Sequence, residues 1–411
     1  MKRTCLWLAG ISSLLVPAYS PLFAEERAVT AQVAEVPTPN AAVIYWSAFG
    51  VMPALSQQQR EAIREAAYSS EAIPEPVQTD VAYYTSSLRE LHRATRVPAC
   101  DWALDESAGP LMLMPHCQHA RDLAAAGVLR ARMAFAKGET ASAINDILAV
   151  LRLARDCGRD PATIAILVDV AVERNANQVL ATHLSQLTPA QLDDLRMRLQ
   201  ALPATQNAAA AFRDESDLFA GWVARMIEEE AAKDQDPKAG ERILMKIQSE
   251  AQIGDSLKGA TEEETQRRRD LISSATVDDL RAMVQTMRAD YAELARIADL
   301  PYLDRAAQFA KFDEGLAKSQ QLANRDDLQR VLSIDFLPSY TMVSRRIEES
   351  YVRRQLLELA IRALRDGHET IRGASIHGVE VKTVSSDMGL QLTYQLPGAE
   401  KPEVLIVPKK K

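Results

Sequence analysis

From Pro161 to Leu184 the chain is apolar on almost every side of a helix, and this limits what it can fold into. A helix without a broad polar face must lie inside a core, wrapped by other elements. Its start is marked by Asp160-Pro161, an acid at the cap followed by proline at the first helical position. The rest of the chain can supply the wrapping. Apolar residues make up 47% of it, enough for a sizeable core, whereas aromatics are only 5% and alanine is abundant. That bias favours helices over strands. The most apolar part, Ala162 to Val172, is interrupted by Asp169 and followed by Glu173-Arg174-Asn175. It reads as a buried helix, because a membrane span needs about 20 apolar residues without such charges.

Helix signals punctuate the remainder. Asn40 caps a first helix to about Gly50, and Ser56 with Gln59 forms a capping box that opens a second to about Ala67. One helix is expected from about Val77 to Arg96, with Val81, Tyr84, Leu88 and Leu91 on its apolar side. Residues 97–115 are irregular. A hairpin follows, Ala120 to Ala136 and Ala141 to Ala154 around Lys137-Gly138-Glu139. Its small residues Ala131, Gly138 and Ala143 suit a tetratricopeptide-type pair, but no second copy recurs at a steady period. Thr188-Pro189 with Gln191 opens another helix, and a long amphipathic one runs through Phe212, Leu218, Trp222 and Met226 to Glu228-Glu229-Glu230.

Residues 233–275 are the most polar, a solvated helix or arm with Glu263/Arg267 and Glu264/Arg268 pairs. Helices are expected from Thr276/Asp279 to about Ala298, at 302–322 and 324–334, and from Pro338 to about Asp366. Beyond Gly373 the apolar period becomes two, at Val379, Val381, Leu390, Leu392, Tyr394, Leu396 and Val404 to Val407. The expected fold is therefore mainly α: an irregular array of helical hairpins with a small C-terminal antiparallel β-meander. Its divisions are a signal peptide (1–24), a flexible leader (25–39), a helical hairpin domain (40–200), a long-helix region (201–372) with the polar arm, and the meander tail (373–411).

The first segment sets the expected compartment. Lys2-Arg3, an apolar run from Leu6 to Val16, Pro17, and small residues at Ala18, Ser20 and Ala24 have the layout of a cleaved secretory signal. Cleavage after Ser20 or after Ala24 is compatible with it. The chain is expected to be exported, periplasmic or extracellular, with no integral membrane segment after processing. Net charge is −8, which argues against a nucleic-acid partner, since that needs a basic footprint. Cys100, Cys117 and Cys157 remain after processing. Folding the hairpin about its turn brings Cys117 and Cys157 to the same height, so these two are the disulfide candidates, with Cys100 unpaired.

Chemical motifs are weak. His368-Glu369-Thr370-Ile371-Arg372 resembles the zinc-protease pattern, but Arg372 stands where the second histidine belongs. Gly373-Ala374-Ser375-Ile376-His377-Gly378 resembles a nucleophile elbow with one residue too many, placed before strands. His116, Cys117 and His119, with Asp101 or Asp105 from the preceding loop, could form a metal site; the ordinary reading is a helix start with surface histidines. Asp169 and Glu173 share one face of the apolar helix. They could serve as an acid–base pair, but burial makes neutralisation by arginines such as Arg130 or Arg155 the expected arrangement. No catalytic, cofactor-binding or metal-binding residue is assigned, no cofactor is expected, and no small-molecule ligand can be inferred.

The segments NAAVIYWSAF (Asn40 to Phe49), LRELHRATRVPACDW (Leu88 to Trp102), LRLARDCGRDPATIAILV (Leu151 to Val168) and RRQLLELAIRALRDGHE (Arg353 to Glu369) carry a resemblance. Together they resemble an uncharacterised family of exported, Ala/Leu-rich helical proteins of planctomycete-type bacteria. The similarity touches both ends of the body and is patchy across 200–335. It implies export and a helical fold, and brings no site residues. Members often follow the last helix with a Tyr-Pro segment and an Asp-Pro strand pair; Thr370-Ile371-Arg372 replaces the first here. The functional expectation is a noncatalytic envelope scaffold or protein-interaction protein, with a secreted hydrolase built around 97–119 as the alternative.

Overall fold

The computed structural model describes residues 39–409 except 70, 234–235, 237–238, 252–261, 321–327, 335–339, 398 and 400. The signal and nearly all of the leader lie outside the described residues, as do the side chains of the Glu263/Arg267 and Glu264/Arg268 pairs. The helices are α1 (Ala41–Gly50), α2 (Gln57–Tyr68), α3 (Glu75–Ala82), α4 (Thr85–Ala94), α5 (Pro115–Ala136), α6 (Thr140–Cys157), α7 (Thr163–His183) and α8 (Pro189–Gln200). They continue with α9 (Ala208–Glu215), α10 (Gly221–Lys233), α11 (Gly240–Glu250), α12 (Glu262–Ser273), α13 (Val277–Ala298), α14 (Tyr302–Gln320), α15 (Leu328–Ile334) and α16 (Tyr340–Asp366). The expected mainly α class with a small antiparallel tail is the one observed. No helix among the described residues is long and apolar enough to cross a membrane.

Four of the caps are where the sequence puts them. The Asn40 side chain accepts from the Ala42 amide, and capping boxes close the starts of α2 (Ser56/Gln59), α8 (Thr188/Gln191) and α13 (Thr276/Asp279). Gly138 ends α5 at φ +78°. Its amide donates to Phe135 O and the Glu139 amide to Ala134 O, the pairing that closes a helix through a left-handed residue. Gly138 is thus a terminator. The close approach within the hairpin belongs to Gly127, where a Cβ would stand 2.6 Å from Val150 Cγ2.

Four readings change. The helix expected over 77–96 is two helices, α3 and α4, broken at Tyr83-Tyr84. The long helix after Pro203 is α9 and α10 joined through a π-turn at Ser216–Ala220. The polar arm is only partly solvated, because α11 buries Ile243, Leu244 and Ile247. Asp160 does not cap α7: Ala162 holds that position, and the Thr163 amide donates to Glu215 Oε2 (3.2 Å) from α9. Asp160 is engaged elsewhere, as described below.

Core clusters cross the boundaries read from sequence. One cluster joins α1 to α8 with the C-terminal half of α16 and the tail; a second joins α10, α11, α13 and α15. The described residues from 39 onward form one compact unit. Helix α7 lies between partners on opposite sides. Ala165, Val168, Val172 and Ala176 join the first cluster, whereas Ile166 and Val170 pack with Ala211 of α9.

The tail is a two-stranded ladder, β1 (Ser375–Ile376) with β2 (Val379–Glu380), followed by an antiparallel sheet of β3 (Lys382–Ser386), β4 (Gly389–Tyr394) and β5 (Glu403–Pro408). Strand alternation buries Leu390, Leu392, Tyr394, Leu405 and Val407 on one face while leaving Val404 and Ile406 exposed. β5 is an edge strand of this sheet and packs beside α7 and α16.

Candidate functional site

The loop at 97–115 brings its chemistry inward. Trp102 donates from Nε1 to Asp156 O (3.0 Å), and its ring stacks on Tyr45 at 5.6 Å and on His116 at 4.4 Å. Tyr45 Oη donates to Asp156 Oδ2 (2.9 Å), which also accepts from Arg152 Nε (2.8 Å). Burial still pushes the Asp156 carboxyl up, and Arg152 and the tyrosine hydroxyl oppose the rise.

Next to this aromatic stack, His116 Nε2 lies 2.6 Å from Asp160 Oδ2 and 3.4 Å from Cys117 Sγ. All three residues are buried. Burial raises the Asp160 carboxyl, with the His116 contact pulling it back, and pushes the Cys117 thiol up to about 12. Both the thiol and the carboxylate meet the same imidazole nitrogen. A cysteine–histidine–carboxylate relay needs them on opposite nitrogens, so the set is not wired for nucleophilic catalysis. Its nitrogen, sulfur and oxygen are metal-donor types whose ligand atoms lie within 4.8 Å of one another.

The structure separates residues that the sequence grouped. His119 packs against the rings of Phe49 (5.4 Å) and Trp46 (6.2 Å) and is not one of the donors that converge on His116. Asp101 Oδ1 accepts from the Ala103 amide (2.8 Å), and Asp105 Oδ1 from the Ser107 amide (3.1 Å), each folding its own loop. The carboxylate that reaches His116 is Asp160, which the Asp-Pro signal had marked as a cap. The disulfide candidates Cys117 and Cys157 come to the same end of the hairpin, as expected, but all three cysteines are free thiols. Cys117 Sγ is turned onto the imidazole instead of toward a bridge.

The other motifs resolve simply. His368-Glu369 lies in a 3-10 turn where Glu369 pairs with Arg372 (2.9 Å). His377 stands at φ +50° in the β1–β2 turn, between the rings of Tyr302 and Tyr351, with Nε2 2.6 Å from Glu348 Oε1. Asp169 and Glu173 are both buried. Glu173 bonds Arg155, Arg354 (2.6 Å) and Ser350 (2.8 Å), and these hold its carboxyl low against the opposing effect of burial. Asp169 has an unpaired Oδ1, and burial, with Glu173 beside it, raises its pKa to about 8. The pair is a structural network: Arg155 comes from the hairpin as expected, whereas Arg130 is spent on Asp146.

The open surface lies elsewhere. Clefts of about 680, 430, 350 and 490 Å³ indent the described surface, and these are not lined by Asp101, His116 or His119. One, of about 490 Å³, lies among α7, α16 and β5. It presents Arg174, Arg345, Arg346, Arg353 and Lys401 against the carboxylates of Glu349 and Glu403. Arg345 and Arg346 pair with Glu349, and Arg353 pairs with Glu403 (2.7 Å). Arg174 and Lys401 make no ion pair among the described residues. Burial depresses the Arg353 pKa, and the nearby Arg174 charge adds to the effect, so like charges converge here. This cleft shares Tyr68, Asn175 and Gln178 with the 680 Å³ cleft, which continues past Val179 and Met133 to Arg132, Lys137 and His183.

Sequence reasoning missed this groove, because its cations come from α7, α16 and the tail. The adjacent signal was the polar edge Arg174-Asn175 on an otherwise apolar helix. No family model, curated protein or solved structure matches the chain.

Proposed function

We propose that this is an exported, noncatalytic binding protein of the cell envelope whose groove along α7 takes an acidic segment of a partner protein. The observation that carries the reading is a cleft with five cationic side chains facing two carboxylates, on a chain whose net charge is −8. Such a patch attracts and orients an anionic partner. The groove's length, the side-chain amides of Asn175 and Gln178, and the edge strand β5 suit an extended peptide better than a single small anion. The secreted-hydrolase reading gains no support, since its residues are folded into the core or into their own loop.

The test is fluorescence anisotropy with a labelled glutamate-rich peptide. Arg174→Glu with Arg346→Glu is expected to weaken binding at least about tenfold, and wild-type affinity is expected to fall as salt rises. Equal binding by wild type and the double variant would show that the groove does not bind the peptide. Export rests on the layout of residues 1–24 and on the family resemblance. Native protein is expected to begin near residue 21 or 25 on N-terminal sequencing, and a start at Met1 would contradict export.

A further inference from the structure

We propose that His116, Cys117 and Asp160 form a binding site for a divalent transition metal, zinc by the chemistry of its donors. Nitrogen, sulfur and carboxylate oxygen are the donor types zinc takes in proteins. Their ligand atoms lie within 4.8 Å of one another, and all three residues are buried. The donors come from two places that no backbone ladder joins: the first turn of α5 and the loop between α6 and α7. The supports are already built. Trp102 stacks on the imidazole, and Pro115 starts the helix that carries His116 and Cys117.

Charge balance favours the ion. A thiolate and a carboxylate together neutralise a dication, leaving no net charge in a dry setting, whereas either anion alone is costly there. Binding breaks the Cys117 S–H bond and releases its proton to solvent, while the proton between His116 Nε2 and Asp160 Oδ2 passes to the unpartnered His116 Nδ1 so that both ligand atoms are free. It also replaces the His116–Asp160 contact with two metal–ligand bonds. No redox change is involved. The ion would act as a brace, tying the start of α5 to the turn before α7, a structural role matching its burial.

The site and the Cys117–Cys157 disulfide exclude each other, because each needs the Cys117 sulfur. The experiment uses the full chain, treated with a chelator under reducing conditions and then titrated with cobalt(II). The expected result is one equivalent bound with a thiolate-to-cobalt charge-transfer band, displaced by zinc, and a higher melting temperature with zinc. Cys117→Ser should abolish the band, while Cys100→Ser should leave it intact. Asp160→Asn should weaken cobalt binding at least about tenfold while the helical circular dichroism stays unchanged. Three results would overturn the site: no charge-transfer band in folded wild type, an unchanged band in Cys117→Ser, or peptide mapping of native protein that finds Cys117 bridged to Cys157. All three are independent of peptide binding in the groove.

Discussion

Replacing Glu173 by alanine is expected to cost about 3–5 kcal/mol, because a buried ion pair broken from one side strands its partner. Glu173 holds Arg155 and Arg354 together, with Ser350 as a further donor. Arg155 is buried and keeps only its bond to Pro203 O once the carboxylate is gone. The effect reaches far, since Arg354 and Ser350 belong to α16, some 180 residues later in the chain. Asp169 modifies the outcome. It is held protonated partly by the charge of Glu173, so removing that charge lets Asp169 ionise and take over part of the role. The single variant should therefore fall near the lower end of the range at neutral pH. Adding Asp169→Asn should then cost more than the two separate effects summed, the mark of a shared network. Urea denaturation of the four proteins in the cycle measures this. A loss below about 1 kcal/mol for Glu173→Ala would place the carboxylate outside the stabilising core.

Asp169 itself should make the protein less stable as pH rises. Its folded pKa, about 8, lies above the ordinary carboxylate value. Between roughly pH 4 and 8 the native state then holds a proton that the unfolded chain has released, so stability declines across that window. Glu173 acts in the opposite sense. Its pKa is lowered, so its contribution is present above the unfolded value and is lost as the medium acidifies. Asp169→Asn imitates the protonated acid. It is expected to be nearly neutral below pH 4 and to stabilise increasingly, by about 1.4 kcal/mol for each pH unit, as pH rises toward 8. A difference between variant and parent that does not change with pH would contradict the raised pKa.

Local signals carried most of the fold because helix starts are written in adjacent residues. Asn40, the Ser56/Gln59 box and the Thr276/Asp279 box each satisfy orphan amides within three positions. The meander was legible for the same reason, as an alternation within β4 and β5. What failed depended on distant partners. Asp160-Pro161 reads as a cap, but tertiary structure assigns Asp160 to His116, and Glu215 takes over at the helix start. Periodicity joins Val77 to Arg96 and cannot show the break at Tyr83-Tyr84. The buried acids were readable as needing arginine, yet of the two named from the hairpin only Arg155 reaches them; Arg354 required knowing that α16 returns to α7. The cationic groove was hidden for the same reason. Arg174, Arg346 and Lys401 are unremarkable singly and become a site only when α7, α16 and the tail meet.

Zero-length carbodiimide coupling of a glutamate-rich peptide to the native protein tests the groove most directly, since it joins carboxylates to the lysines they touch. Coupling is expected at Lys401, with Lys137 next at the far end of the joined clefts. Both should be suppressed by the Arg174→Glu, Arg346→Glu pair. Coupling spread evenly over exposed lysines such as Lys246 and Lys311, or unaffected by charge reversal, would contradict a binding groove along α7.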